Sequence, residues 1–190
     1  MKELDLGPCR ALLHEGDRDR CLVLLPGARY PTRAPLLWFA RAAGAERGWS
    51  ALEVLDLLPA GGQPGDWALD RTERALAAAP GADPVVVGKS LASAAAGLVA
   101  DRGLAAVWLT PLLGEAAVIG GLAQASRPTL LVGGTADGSW RPDASPQNPA
   151  LETEEIEGAD HSLELPGDVS GSLDALRTVT ARIGAFLEGL

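Results

Sequence analysis

Short apolar runs separated by segments of helical periodicity constrain this chain more than any other feature. The runs are Cys21–Leu25 (CLVLL), Ala51–Leu55, Pro84–Val87 (PVVV), Ala105–Leu109 (AAVWL), Thr129–Val132 (TLLV) and Leu151–Ile156. A continuous apolar run suits a strand buried on both faces, and strands that alternate with helices build a parallel sheet wrapped by helices. Val85, Val86 and Val87 make the firmest strand, because three β-branched residues in a row resist a helix and pack well on a pleated surface. Helices are predicted at about Pro35–Arg47, with Leu36, Leu37, Phe39, Ala40 and Ala43 on one side, then at Trp67–Ala79 behind an Asp66 cap. Others follow at Leu91–Ala100, Glu115–Ala125 and Leu173–Leu187. Two N-terminal segments, Lys2–Leu6 and Cys9–His14, read as an antiparallel edge pair turned at Gly7-Pro8. With no repeat, linker or low-complexity stretch, residues 1–190 are expected to form one α/β domain.

The segment Gly88-Lys89-Ser90-Leu91-Ala92 falls between the firmest strand and the helix after it. A serine on such a strand-to-helix turn adopts strained backbone angles, so its neighbours two positions away must be small. Gly88 and Ala92 meet that need. The turn lifts the Ser90 hydroxyl out of the sheet, and the helix start favours developing negative charge. Gly-Lys-Ser also ends the phosphate-binding loop of nucleotide-binding proteins, but that loop needs a glycine where Asp83 stands. A serine that merely caps the helix is the plainer alternative.

A serine needs a base, and histidine is the usual one. Of two histidines, His14 lies on an edge strand and reads as structural. His161 lies in a loop between the last strand and the final helix. The imidazole in turn needs a carboxylate to fix its tautomer. Asp137, directly after the strand TLLV, is the favoured acid. Asp143 in the loop Pro142–Pro149 and Asp160 beside the histidine are its rivals, with Asp160 more suited to shaping its own loop.

The order Ser90, Asp137, His161 matches the order nucleophile, acid, histidine of the α/β-hydrolases. The chain resembles that superfamily over almost its whole length, and its small lidless bacterial members in the neighbourhood of dienelactone hydrolase above all. The motifs that carry the likeness are LLPGARY at Leu24–Tyr30, VVVGKSLAS at Val85–Ser93, LVGGTAD at Leu131–Asp137 and GADHSL at Gly158–Leu163. The resemblance implies an α/β-hydrolase fold, a mostly parallel central sheet with helices on both faces and no cap domain. It also implies an oxyanion hole from the backbone N–H groups of Ala28 and Leu91. True dienelactone hydrolases carry a cysteine nucleophile. Ser90 departs from them, and their substrate does not carry over.

The interval Leu109–Leu130, where relatives carry a cap, holds only Thr110–Leu113, one helix and a turn, so the pocket is expected to be open. Arg29, Tyr30 and Arg33 are placed to face substrate, although Arg33 reads equally as a solvated residue. Pro111, Leu112 and Trp140 would line an apolar wall, with simple packing the alternative for Trp140. The expected partner is a small-molecule ester or thioester, hydrolysed through an acyl-enzyme on Ser90. Acyl transfer by the same residues, or a binding protein that keeps the fold without catalysis, are the alternatives.

Composition narrows the rest. A net charge of −9 argues against a nucleic-acid partner, which needs a basic face. The N-terminus lacks an apolar signal region and no apolar run is long enough to span a membrane, so a cytoplasmic protein without membrane association is expected. Cys9 and Cys21 read as two buried thiols, with a disulfide the alternative if adjacent strands carry them. No spacing of His, Cys and carboxylates suggests a metal, and no cofactor is implied.

Overall fold

A computed structural model describes all residues, 1–190. Its centre is an eight-stranded sheet in the order β1-β2-β4-β3-β5-β6-β7-β8. The strands are β1 (Lys2–Asp5), β2 (Arg10–His14), β3 (Asp17–Leu25), β4 (Trp49–Val54), β5 (Val85–Lys89), β6 (Ala106–Leu109), β7 (Thr129–Gly134) and β8 (Leu151–Ile156). The pair β1–β2 is antiparallel, and β2 also runs antiparallel to β4. Every pairing from β4 through β3, β5, β6 and β7 to β8 is parallel. Parallel neighbours need crossovers, and helices supply most of them.

Those helices divide between the two faces. α1 (Pro35–Glu46) and α5 (Val169–Glu188) cover one face. There Leu36, Leu37 and Ala40 meet Val179, Ile183 and Phe186 over Leu22, Leu24, Val85, Val87 and Val107. α2 (Pro64–Ala78), α3 (Ala96–Asp101) and α4 (Ala116–Ala123) cover the other. Ala75, Leu76, Val99, Val118 and Leu122 pack there on Val23, Leu25, Val86 and Trp108. Side chains alternate across a strand, so successive valines of β5 serve both cores. That is why the central runs are apolar without interruption. The segment from β6 to β7 holds α4 and short connections, with no cap domain.

Several element boundaries differ from the sequence reading, each for a local reason. β3 begins at Asp17, four residues early, because its exposed DRDR stretch carries no apolar signal. α2 begins at Pro64 behind Gln63, so Asp66 is not the cap but sits in the first turn. A proline at the first helical position forfeits no hydrogen bond there. The segment after Ser90 is a 3₁₀ turn over Ser90–Ala95 before α3 begins. α5 starts at Val169, where the Asp168 carboxylate accepts the Gly171 N–H at 2.9 Å.

Cys9 and Cys21 are both buried with free thiols, and burial raises the pKa of each. No helix is long and apolar enough to cross a membrane.

Candidate active site

Three strand ends build the site. β5 ends in Gly88-Lys89, and the chain turns sharply at Ser90, whose φ is +52°. A side chain at Gly88 has no room: a Cβ there would lie 2.5 Å from the Trp108 ring and 2.9 Å from the Ala92 methyl. The Ser93 hydroxyl donates to the Ser90 carbonyl at 2.7 Å and accepts the Leu112 N–H at 3.1 Å, so it ties the elbow to the segment after β6.

β7 ends in Gly133-Gly134, and its loop is joined to the one after β8. Ala136 N–H donates to the Ala159 carbonyl at 3.0 Å, and Gly158 N–H donates to the Thr135 hydroxyl at 2.7 Å. The two loops touch so closely that a Cβ at Gly134 would lie 2.1 Å from the Ala159 carbonyl oxygen. Gly134→Ala is therefore expected to destabilise the fold by about 1–3 kcal/mol, as overpacking typically does. It should also reduce turnover per folded molecule, because the atom displaced is backbone of the histidine loop. Urea unfolding alongside kcat checks both parts; unchanged stability would show that the loops yield freely.

Asp137 and His161 face each other from these loops. Asp137 is 6 % exposed, and its Oδ1 accepts the Ser139 N–H at 2.8 Å while Oδ2 lies 2.7 Å from His161 Nδ1. An ionised carboxylate only accepts, so it selects the tautomer with the proton on Nδ1. Nε2 is then an acceptor, and it lies 2.8 Å from Ser90 Oγ. The rivals stand elsewhere. Asp160 Oδ1 accepts the N–H groups of Ser162 and Glu164 and shapes the loop, while Asp143 is exposed in a 3₁₀ turn over Pro142–Ala144. His14 lies on β2 beside the buried Glu53, 3.4 Å away, which also pairs with Arg41 at 2.8 Å.

Other residues singled out in the sequence fall into distinct places. Ala28 N–H has no acceptor within the protein. Leu91 occupies the first turn after Ser90, where amides lack an intrahelical partner. Arg29 and Arg33 are exposed. Tyr30 is half-buried; its hydroxyl accepts the Leu36 N–H at the start of α1 at 3.0 Å. Burial pushes its phenol pKa up. Trp140 is 7 % exposed and lies flat against Gly133, its Nε1 donating to Glu155 at 2.7 Å. The packing alternative describes it better than a pocket wall. Pro111 is buried, and Leu112 borders a cleft of about 290 Å³ with Gly114, Glu115, Gly138, Ser139 and Arg141. A larger cleft of about 440 Å³ lies beyond the histidine loop, between Tyr30, Leu36, Ser162, Leu165, Val169 and Leu176. Ser90 lies outside both, and the His161 side chain is 41 % exposed, so the reacting atoms open to solvent. No group of three or more His, Cys, Asp or Glu side chains is arranged to hold a metal ion.

Lys89 is the residue that sequence reasoning passed over. It entered only as part of a phosphate-loop lookalike, yet its side chain is turned inward and is 1 % exposed. Its Nζ bonds to Thr110 Oγ1 and donates to the His161 carbonyl oxygen at 2.7 Å. A buried lysine held this way has no part in a phosphate cradle. The available signal was its position, a cation closing a strand that is buried throughout.

No sequence-family model and no curated protein matches the chain. Solved structures do. Dienelactone hydrolase from Anabaena variabilis superposes with a TM-score of 0.76 at 18 % identity, covering 99 % of this chain and 95 % of that one. Est1E from Butyrivibrio proteoclasticus, in a structure with ferulic acid bound, gives 0.74 at 15 % identity over 100 % and 98 %. A serine hydrolase without lid from Xanthomonas campestris gives 0.72 at 13 % identity over 99 % and 94 %. The chain has the α/β-hydrolase fold. Within that α/β-hydrolase fold, Ser90, Asp137 and His161 stand at the ends of β5, β7 and β8, on the edge of the sheet toward which the parallel strands run.

Proposed function

We propose that the protein is a serine hydrolase that cleaves an ester or thioester of a small molecule through an acyl-enzyme on Ser90. The hydrogen-bonded relay from Ser90 Oγ through His161 to Asp137, at 2.8 and 2.7 Å, carries this reading. His161 Nε2 takes the Ser90 proton as Oγ attacks the carbonyl carbon. The N–H groups of Ala28 and Leu91 hold the oxyanion; each such donor is typically worth about 10²–10³ in rate. The imidazolium, steadied by Asp137, gives its proton to the leaving alcohol or thiol. Water then repeats the sequence in reverse, releasing the acid and free Ser90. The assembled relay favours catalysis over a binding protein that merely keeps the fold. The exposed imidazole and the lack of a cap favour a small substrate reached directly from solvent.

A fluorophosphonate probe should modify the folded protein at one site, mapped by peptide mass spectrometry to Ser90, and short p-nitrophenyl esters should be turned over. Folded protein that neither reacts nor hydrolyses them overturns the proposal. Acyl transfer is distinguished by the products, since added alcohol or amine acceptors would then outcompete water.

A further inference from the structure

The chain has three non-glycine residues in the left-handed region of backbone space: Ser90 at φ +52°, Thr110 at +46° and Leu163 at +58°. Such conformations are costly, most of all for a β-branched residue, and persist only where the surroundings over-determine them. One residue stands within two positions of, or in contact with, all three. Lys89 directly precedes Ser90, its Nζ bonds to the Thr110 hydroxyl, and it donates at 2.7 Å to the carbonyl of His161, two residues before Leu163. Nζ also lies 5.2 Å from the centre of the Tyr30 ring. Its stem runs beside Gly27, where a Cβ would approach Lys89 Cγ to 3.4 Å. So this one side chain packs its stem on the loop after β3, with its ammonium over the Tyr30 ring, and bonds Thr110 just after β6 and the loop after β8.

We propose that Lys89 is a positioning residue whose ammonium clamps the His161 loop against the elbow and the oxyanion loop. The inference rests on the hydrolase reading above. An ammonium suits this duty because it carries three donors on a flexible stem, and the sites around it provide two oxygens and an aromatic face. The His161 carbonyl it holds belongs to the residue whose ring must meet both Ser90 and Asp137. Burial lowers its pKa to about 8, against the pull of the Asp137 and Asp160 carboxylates. These two acids, His161 and the Tyr30 phenol are the titratable groups that surround it; the segment after β6 contributes only the Thr110 hydroxyl. As pH rises through that region the lysine loses one donor and the charge behind the others, and the clamp weakens.

The test compares wild type with Lys89→Met, a side chain of similar volume without donors. Turnover of a p-nitrophenyl ester should fall about 10²-fold in kcat, the cost of a displacement on the order of 1 Å, with KM within about twofold. The deshielded proton NMR signal of His161 Nδ1–H against Asp137 should broaden or vanish in Lys89→Met. A role confined to stability would instead lower the melting temperature and leave both kcat per folded molecule and that signal unchanged, which overturns the proposal. If Lys89→Met does not fold, wild type decides: kcat and the Nδ1 proton signal should both decline as pH rises through about 8. A flat profile, or a rate that rises there, overturns it. The NMR readout needs no turnover. A wild type without esterase activity but with a lysine-dependent signal would therefore refute the hydrolase reading alone. An active enzyme indifferent to Lys89 would refute the clamp alone.

Discussion

Ser90→Ala is expected to stay folded and to lose ester hydrolysis by about 10⁴- to 10⁶-fold in kcat, the scale on which nucleophile deletion acts in triad enzymes. The side chain removed is a single hydroxyl whose partner is His161 Nε2. The turn itself is held by backbone bonds and by Ser93, so its shape should survive. Fluorophosphonate labelling should disappear with the activity, while thermal unfolding stays close to wild type. The loss need not be total, because Ala28 and Leu91 would still offer their N–H groups to a carbonyl oxygen attacked by water. A variant that keeps most of its activity would remove Ser90 from the chemistry and with it the acyl-enzyme.

Asp137→Asn is the second large effect, about 10⁴-fold in kcat with little change in KM. The mechanism is one of tautomer. An amide at this position can present its N–H₂ to His161 Nδ1, which then gives up its proton to Nε2, and Nε2 no longer accepts from Ser90. The buried carboxylate that would steady the imidazolium is lost as well. Asp143 and Asp160 are the two carboxylates against which Asp137 is measured. Asp143→Asn should be silent, being exposed, and Asp160→Asn should act indirectly, by loosening bonds to the Ser162 and Glu164 N–H groups and removing a charge that faces Lys89. Steady-state kinetics on the three variants, with unfolding curves beside them, settles the assignment. Equal losses at positions 137 and 160 would count against Asp137 as the orienting acid.

Much of the architecture was legible as pattern. Uninterrupted apolar runs at β3, β5, β6 and β7 marked strands covered on both faces, and the structure lays helices on each side of them. Burial is an average property of a segment, so it leaves a trace in composition and periodicity. Boundaries were less legible wherever exposed residues belong to an element, as in the first four residues of β3 and the first turn of α5. There the backbone pairs or caps without any apolar demand on the side chains.

The elbow shows where the division falls. That a small pair brackets Ser90 on a strand-to-helix turn follows from Gly88, Ala92 and the valines before them, because steric limits over five residues are local. Which carboxylate meets His161, and what Lys89 holds, follow only from tertiary structure. Asp137 stands 24 residues from His161 in the chain and Ser90 stands 71 away, and both come within hydrogen-bond reach because parallel strands deliver their ends to one edge. Lys89 is the sharpest case. In sequence it is a polar residue beside a serine and suggests phosphate; in the fold it is a buried cation whose stem packs against one loop and whose ammonium bonds two others. A side chain's direction and its partners depend on strands that the local sequence does not mention.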